Sequence, residues 1–471
     1  MTRRGSAMTP PALLLAIGLA GCTAASPDPG LAGVASEIRG RIPQRVVWNR
    51  GTPADAVAGR AVAALLSHPL AADDAVQVAL LRNRGLQASY AALGLAQADL
   101  VEAGLLENPV LDTSIRFPAS AHLATDLATG LTQNLLNLLL LPAKKQIAAG
   151  QAEATKLRVA ADILDLVAEV RIAYYRLSAD QGIGALLHDR VVAADSAASL
   201  ARRMHDAGNI ADLDLARQQV EAELTRTEYA EALGGATQDR EALNRLMGLF
   251  GADTRWTVPD QLPDLPPDRL PYDRLETMAI AGNLRIAALR RQAETTARAL
   301  GIATDFGWLT DVQIGASSEK ESEGYRVTGP TLQIPIPLFN RGQASRARAV
   351  AALQQNEDEM AQLAIDTRAQ LRALLDRLVR TRDLVDHYRV VVVPLQRRML
   401  ALGLQQYQFM LLGPFDLLRA KQDEITASRR LIEATRDYFI ARAELDRALS
   451  GQAVPASLNA SAPLVTKGHP A

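Results

Sequence analysis

The chain of 471 residues has one cysteine, and aromatic residues make up only 4% of it. One thiol leaves no intrachain disulfide and no cysteine-based metal site to build. So few rings argue against a core of packed sheets. After the first twenty or so residues there is no run of about 18 apolar positions, which excludes a membrane-spanning helix. A charge excess is also missing. Lys plus Arg number 51 against 52 Asp plus Glu, a net charge of -1, so nucleic acid is not an expected partner. The six histidines (His68, His122, His188, His205, His387, His469) are scattered and form no metal-binding or hydrolase motif. No catalytic residue, metal or cofactor is expected, and Asp73-Asp74 reads as a helix start rather than an acid pair. What the chain has in abundance is Ala, Leu, Arg, Gln and Glu, the composition of long helices.

The start reads as a targeting segment. Arg3 and Arg4 precede an apolar stretch, Pro11–Ala20, that is too short to span a bilayer. It ends in Leu19-Ala20-Gly21-Cys22, which looks like a bacterial lipobox with Cys22 as the lipidated mature N-terminus. The bland alternative is an ordinary signal peptide with an incidental cysteine. Thr23, rather than an aspartate, follows and points to the outer membrane. Residues 1–21 are then a signal peptide. Residues 22–72, with isolated Pro27, Pro29, Pro43 and Pro53, read as a mostly irregular tether.

The rest is a duplication. Thr129–Ala148 (TGLTQNLLNLLLLPAKKQIA) lies over Thr328–Arg348 (TGPTLQIPIPLFNRGQASRAR) at an offset of 199 residues. The first repeat takes 73–250, with a β-hairpin at about 109–136. A proline-rich connector takes 251–271. The second repeat takes 272–451, with a hairpin at about 309–339, and 452–471 is a tail. In repeat one a helix from about Asp73 to Glu107 leads to alternating strands, with Leu111, Thr113, Ile115 and Phe117 opposed to Asp112, Ser114 and Arg116. The pattern continues through Leu127, Thr129, Leu131 and Leu135. Pro142 reads as the first position of a long helix running to about His205. Its heptad seam is Ile163, Leu166, Val170, Ala173, Leu177, Leu187, Val191, Ala194, Ala198 and Ala201. A return helix follows Gly208-Asn209.

Repeat two has a helix over about 272–302 and strands around Asp311–Ser317 and Thr328–Ile334. A second long helix has seam positions Leu371, Leu378, Val385, Val392 and Met399, and Leu374, Thr381, Tyr388, Leu395 and Leu402. Pro394 should kink it. A last helix follows Gly413-Pro414.

Each long helix of about 65–70 residues is roughly 100 Å long at 1.5 Å per residue. It must share its seam with neighbours along that length, as in a coiled coil or helical tube. Strands of about ten residues are long enough to cross a membrane in a barrel, although a surface hairpin of a soluble domain shows the same alternation. Two hairpins give four strands, too few to close a barrel, and open edges are not tolerated in lipid. Membrane insertion therefore requires other copies of the chain.

These residues resemble the TolC family of outer-membrane efflux proteins over about Asp73–Gly451. The likeness rests on the duplicated order of elements, on Leu106-Glu107-Asn108-Pro109, on Pro335-Ile336-Pro337-Leu338-Phe339-Asn340, and on the two returns GNIADLDLARQ (208–218) and GPFDLLRAKQ (413–422). The resemblance implies a mainly α fold with a β-barrel contribution. It implies a homotrimer whose twelve strands form one outer-membrane barrel in contact with lipid, continued by a periplasmic α-helical tube. It also implies a periplasmic adaptor and an inner-membrane pump as partners, and no covalent chemistry. By motif match Asp416 takes a pore-gate position, Asp212 an acid that bonds a tyrosine, and Tyr407 that tyrosine. Gly208 and Gly413 would permit the tip turns. The plain alternative makes Asp212 and Asp416 N-caps. Arg419 and Leu412 depart from the family pattern of a second ring acid and a basic lock. Asp112, Ser114, Arg116, Asp311, Gln313 and Gln333 would line the barrel lumen, or else be ordinary solvent-facing strand residues. The rival function is a periplasmic coiled-coil lipoprotein with an adaptor or structural role.

Overall fold

A computed structural model describes residues 30–117, 125–259, 261–267, 274–309, 311–321 and 325–449. The expected signal peptide, Cys22, His122, Pro271, His469 and the expected tail lie outside them.

The helices are α1 (Leu31–Ile38), α2 (Pro53–Leu65), α3 (Ala72–Arg82) and α4 (Arg84–Glu102). Strands β1 (Val110–Arg116) and β2 (Asp126–Asn134) follow, then α5 (Leu135–Asp206) and α6 (Asp212–Met247). The second half holds α7 (Leu275–Gly282), α8 (Leu284–Asp305), β3 (Gln313–Lys320) and β4 (Arg326–Gln333). It ends with α9 (Gln343–His387), a π-helical turn at Tyr388–Val392, α10 (Val393–Gln408) and α11 (Pro414–Ala448). The order of elements repeats, as the sequence predicts, and the fold is mainly helical with one small sheet.

Five local expectations need correction. The described part of the tether carries two helices, α1 and α2, joined by irregular chain over 39–52. Pro53 starts α2 at N1, where its missing N–H costs nothing, and the Thr52 and Gly51 amides donate to Asp55 Oδ2 at 3.1 and 2.6 Å. The expected helix over 73–107 is two helices broken at Asn83, and that over 272–302 is two broken at Asn283. Each Asn leaves helical geometry (ψ 118° and 109°) and its Oδ1 caps the next helix. Asn83 accepts from the Leu86 amide at 2.8 Å, and Asn283 from the Arg285 and Ile286 amides at 2.9 and 3.1 Å. The first long helix starts at Leu135, so Pro142 lies inside it and Leu135 is not strand. The start signal is Asn134, whose Oδ1 accepts from the Asn137 amide at 3.0 Å. The strands have seven to nine residues rather than about ten. The effect of Pro394 takes the form of the π turn just before it, which makes room for the ring and for the absent donor.

The chain divides into two compact units. One holds residues up to Gly33, Ala91–Lys156 and Leu289–Glu357, and therefore the whole sheet. The other holds Val34–Tyr90, Leu157–Ala288 and Asp358 onward, and is helical. In the helical unit the seam residues Leu371, Leu378 and Val385 of α9 pack with Leu275 and Ala279 of α7 and with Tyr438, Phe439 and Leu445 of α11. Tyr175 of α5 stacks on Phe439 with ring centroids 4.7 Å apart. Eight of the ten predicted α5 seam residues are buried; Val191 and Ala198 are partly so. Leu164, Val167, Ala168, Tyr174 and Ala179 are buried as well. This face is wider than a two-position seam, so α5 packs on more than one neighbour here. Beyond the π turn the seam changes character: Leu395, Met399 and Leu402 are exposed in the single chain.

Candidate functional site

Two regions carry the predicted site residues, one in each unit. The first is the sheet, antiparallel throughout in the order β1-β2-β3-β4. Its register sorts the residues by face, because strand side chains alternate with period two. Asp112 is paired with Gly130 and Ser114 with Ala128; across the next pairing Gly130 meets Ser317 and Ala128 meets Glu319. Gln313 pairs with Gln333. Asp112, Ser114, Arg116, Gln313 and Gln333 therefore share one face. Arg116 lies 3.7 Å from Glu319 on it. Asp311 joins them, since its carboxylate accepts from Asn134 Nδ2 at 2.9 Å and Gln313 Nε2 at 2.8 Å.

The opposite face is apolar towards one end. Leu111, Leu131, Ala316 and Pro330 form one cross-strand row, Ile115 pairs with Leu127, and Ile314 with Leu332. Leu111, Ile115, Leu131 and Leu332 are at least half exposed. Such a surface is costly in water and suited to hydrocarbon. Gly315 keeps the strands close, because a Cβ there would lie 2.3 Å from the Leu131 carbonyl oxygen. Among the described residues no strand pairs with the outer edge of β1 or of β4.

The second region is the pair of helix returns in the helical unit. Gly208 takes φ +76°, and the Asn209 amide donates to Met204 O at 2.8 Å, the bond that ends an α-helix with a left-handed residue. Gly413 does not play this part. It sits at φ -72°, ψ 156° as the N-cap of α11. The left-handed residue of the second return is Met410, at φ +57°, with the Leu411 amide donating to Gln406 O at 2.9 Å. Phe409, Met410 and Leu411 are all more than three-quarters exposed.

Neither acid is an N-cap. Asp212 is the first residue of α6, after Ala211, and Asp416 is the third of α11, after Gly413. Both sit in first turns, where a carboxylate favours the helix dipole. The aligned acids differ in depth because Pro414 starts α11 two positions earlier. Asp212 has a different partner from the tyrosine that the resemblance implies. His205 Nε2 lies 2.5 Å from Asp212 Oδ1, and this hydrogen bond raises the imidazole pKa. Tyr407 contributes its backbone carbonyl, which accepts from Met410 at 3.0 Å, and its side chain is partly exposed. His205 escapes a motif search because its partner stands seven residues on, across the return.

A third feature carries no sequence motif. Asp180 of α5, half-buried, has its carboxyl pushed up to about 6, first by loss of solvation and then by hydrogen bonding to Asp239 of α6. Arg436 and Arg176 act against the shift. Among the described residues no three His, Cys, Asp or Glu side chains gather in a way that could hold a metal ion, and no helix is long and apolar enough to cross a membrane.

Residues 75–249 match the model of the outer membrane efflux protein family. The match covers less than half of the chain, which is similar to this family over that stretch. It is the TolC family that the sequence resembles, whose members are channel proteins of the outer membrane rather than enzymes. The chain is 25% identical over 315 residues to the probable efflux pump outer membrane protein TtgC of Pseudomonas putida, an alignment covering 61% of this chain. It spans 60% of that relative's length. The fold is shared with a membrane protein from Pseudomonas aeruginosa (TM-score 0.68, 20% identity, 80% of this chain and 93% of that one). It is also shared with the outer membrane channel CmeC of Campylobacter jejuni (TM-score 0.69, 14% identity, 81% and 86%).

Proposed function

We propose that the chain is the outer-membrane channel of a tripartite efflux system, a passive homotrimeric duct for small molecules. The observation that carries this reading is the four-stranded sheet, with one exposed face that is apolar towards one end, one polar face and two unpaired edges among the described residues. Three copies joined edge to edge would make a closed barrel of twelve strands, satisfying every backbone group in lipid. The polar face, with Asp112, Ser114, Arg116, Asp311, Gln313 and Gln333, would then line the water-filled lumen. The exposed apolar seam of α10 would be covered in the periplasmic helical tube by neighbouring copies. A periplasmic adaptor and an inner-membrane pump would couple at the helix returns. Cys22 would carry the lipid anchor, and Asp416, with Asp212 and Tyr407, would stand at the gate. The returns turn through Gly208 and Met410, with Gly413 capping the second outgoing helix.

Planar-bilayer recording of the purified full chain tests this reading. Discrete channels are expected, nearly closed in the wild type, with higher conductance for Asp416→Ala. Absence of any channel sinks the duct, and an unchanged closed state removes Asp416 from the gate.

A further inference from the structure

In the unit that holds the sheet, both helices leaving the strands begin alike. First comes an exposed apolar collar: Leu138 and Leu139 on α5, and Ile336, Leu338 and Phe339 on the segment before α9, Phe339 at 91% exposure. Trp308 belongs with it. Its Nε1 donates to Asp305 O at 3.1 Å while about half of the residue stays exposed, the habit of a ring at a lipid interface. Next comes a basic band: Lys144 and Lys145 on α5, and Arg341, Arg346 and Arg348 at the head of α9, all exposed. Among the described residues none of these five forms an ion pair. The charge is one-sided by sequence as well. No Asp or Glu occurs from Leu135 to Ala152, or from Val327 to Asn356. The neighbouring Asp311 is held on the polar face by Asn134 and Gln313. From Leu139 to Lys144 the helix rises about 7.5 Å, roughly the step from acyl chain to headgroup. The same pattern in both halves of a degenerate duplication is hard to ascribe to chance.

We infer that this junction is a binding belt for anionic glycerophospholipid headgroups in the leaflet facing the periplasm. The inference rests on the outer-membrane reading above and adds a lipid class and a site to it. The apolar collar lies among acyl chains, and the five cations attract phosphate and a net negative headgroup, which zwitterionic lipid lacks.

The test uses the full chain with Trp48→Phe and Trp256→Phe, so that Trp308 reports alone. The chain is reconstituted in vesicles containing brominated phosphatidylglycerol or brominated phosphatidylcholine. Quenching by phosphatidylglycerol should exceed that by phosphatidylcholine with an apparent preference of at least about fivefold, what a single basic residue supplies at such a surface. Replacing Lys144, Lys145, Arg341, Arg346 and Arg348 with Gln should abolish the preference. Native mass spectrometry of the wild type and the five-Gln variant, counting retained phosphatidylglycerol, gives the same comparison without tryptophan changes. Equal quenching by both lipids, or a preference that survives the five substitutions, overturns the belt. Displacement of brominated phosphatidylglycerol by lipopolysaccharide as readily as by unlabelled phosphatidylglycerol overturns the assignment to phospholipid. Failure of both brominated lipids to quench contradicts the membrane reading itself.

Discussion

Gly248 and Gly251 lie three residues apart, and both are left-handed, at φ +69° and +63°. Gly248 closes α6: its amide donates to Arg245 O, and the Leu249 amide to Asn244 O at 2.9 Å. A Cβ on Gly248 would lie 2.6 Å from Arg82 O and 2.9 Å from its carbonyl carbon; around Gly251 there is nothing within 4 Å. Alanine at either position meets the left-handed penalty of about 1–2 kcal/mol. Part of that, about 0.4–1 kcal/mol, is returned by the stiffer unfolded chain. Gly251→Ala should therefore cost about 1 kcal/mol. Gly248→Ala adds a backbone collision, and overpacking of that kind costs about 1–3 kcal/mol more. The collision falls on the last residue of α3, beside Asn83, whose Nδ2 donates to Leu246 O at 2.7 Å. Hydrogen exchange read by mass spectrometry on peptides spanning 76–90 and 240–250 measures both effects. Gly248→Ala should speed exchange in both peptides at least about fivefold more than Gly251→Ala, since 1.4 kcal/mol is tenfold and the added cost starts at about 1 kcal/mol. Equal effects of the two substitutions would refute the close approach and, with it, the packing of the α6 end against the α3–α4 break.

Met410→Gly should slow exchange of the Leu411 amide, because it removes left-handed strain of about 1–2 kcal/mol from a side chain that buries almost nothing. The pairing of His205 with Asp212 stabilises the first return while the imidazole is charged. That stability is full below the ordinary value of 6.5 and is lost as pH rises through the raised one, so protection of the Asn209 amide should fall with pH in the wild type and stay flat in His205→Gln. Asp180 has the opposite chemistry with the same sign: a carboxyl raised to about 6 favours folding while protonated and opposes it once ionised. Asp180→Asn should therefore raise the thermal midpoint more at pH 8 than at pH 5; an equal gain at both removes the titration from the explanation.

The duplication was legible because it is written in long-range order: two strand-to-helix junctions at an offset of 199 and two seams such as Leu371-Leu378-Val385. The sheet faces were legible because alternation is strict in Asp112–Arg116. What escaped was set by single capping side chains. Asn83, Asn134 and Asn283 each decide a helix start through one Oδ1, and hydrophobic periodicity runs past all three. Leu135 illustrates this, since it continues the strand pattern yet is the first residue of a helix. Pro53 and Pro142 misled in opposite directions, one starting a helix read as irregular and the other lying inside a helix read as starting there. At the returns the motif located both turns but not their chemistry. Gly413 looked like the turn residue only because glycine is the usual one, while Met410 adopts that conformation, and His205 reaches Asp212 by tertiary proximity that no local spacing encodes.

The central claim is that the free edges of β1 and β4 belong together in neighbouring copies. Its most direct measurement is disulfide trapping in membranes, in a Cys22→Ser background, with one cysteine at Ser114 on β1 and a second scanned along β4 from Arg326 to Gln333. The account predicts that some positions give covalent species whose ladder ends at three chains. A ladder that stops at one or two chains, or that runs past three, would contradict it.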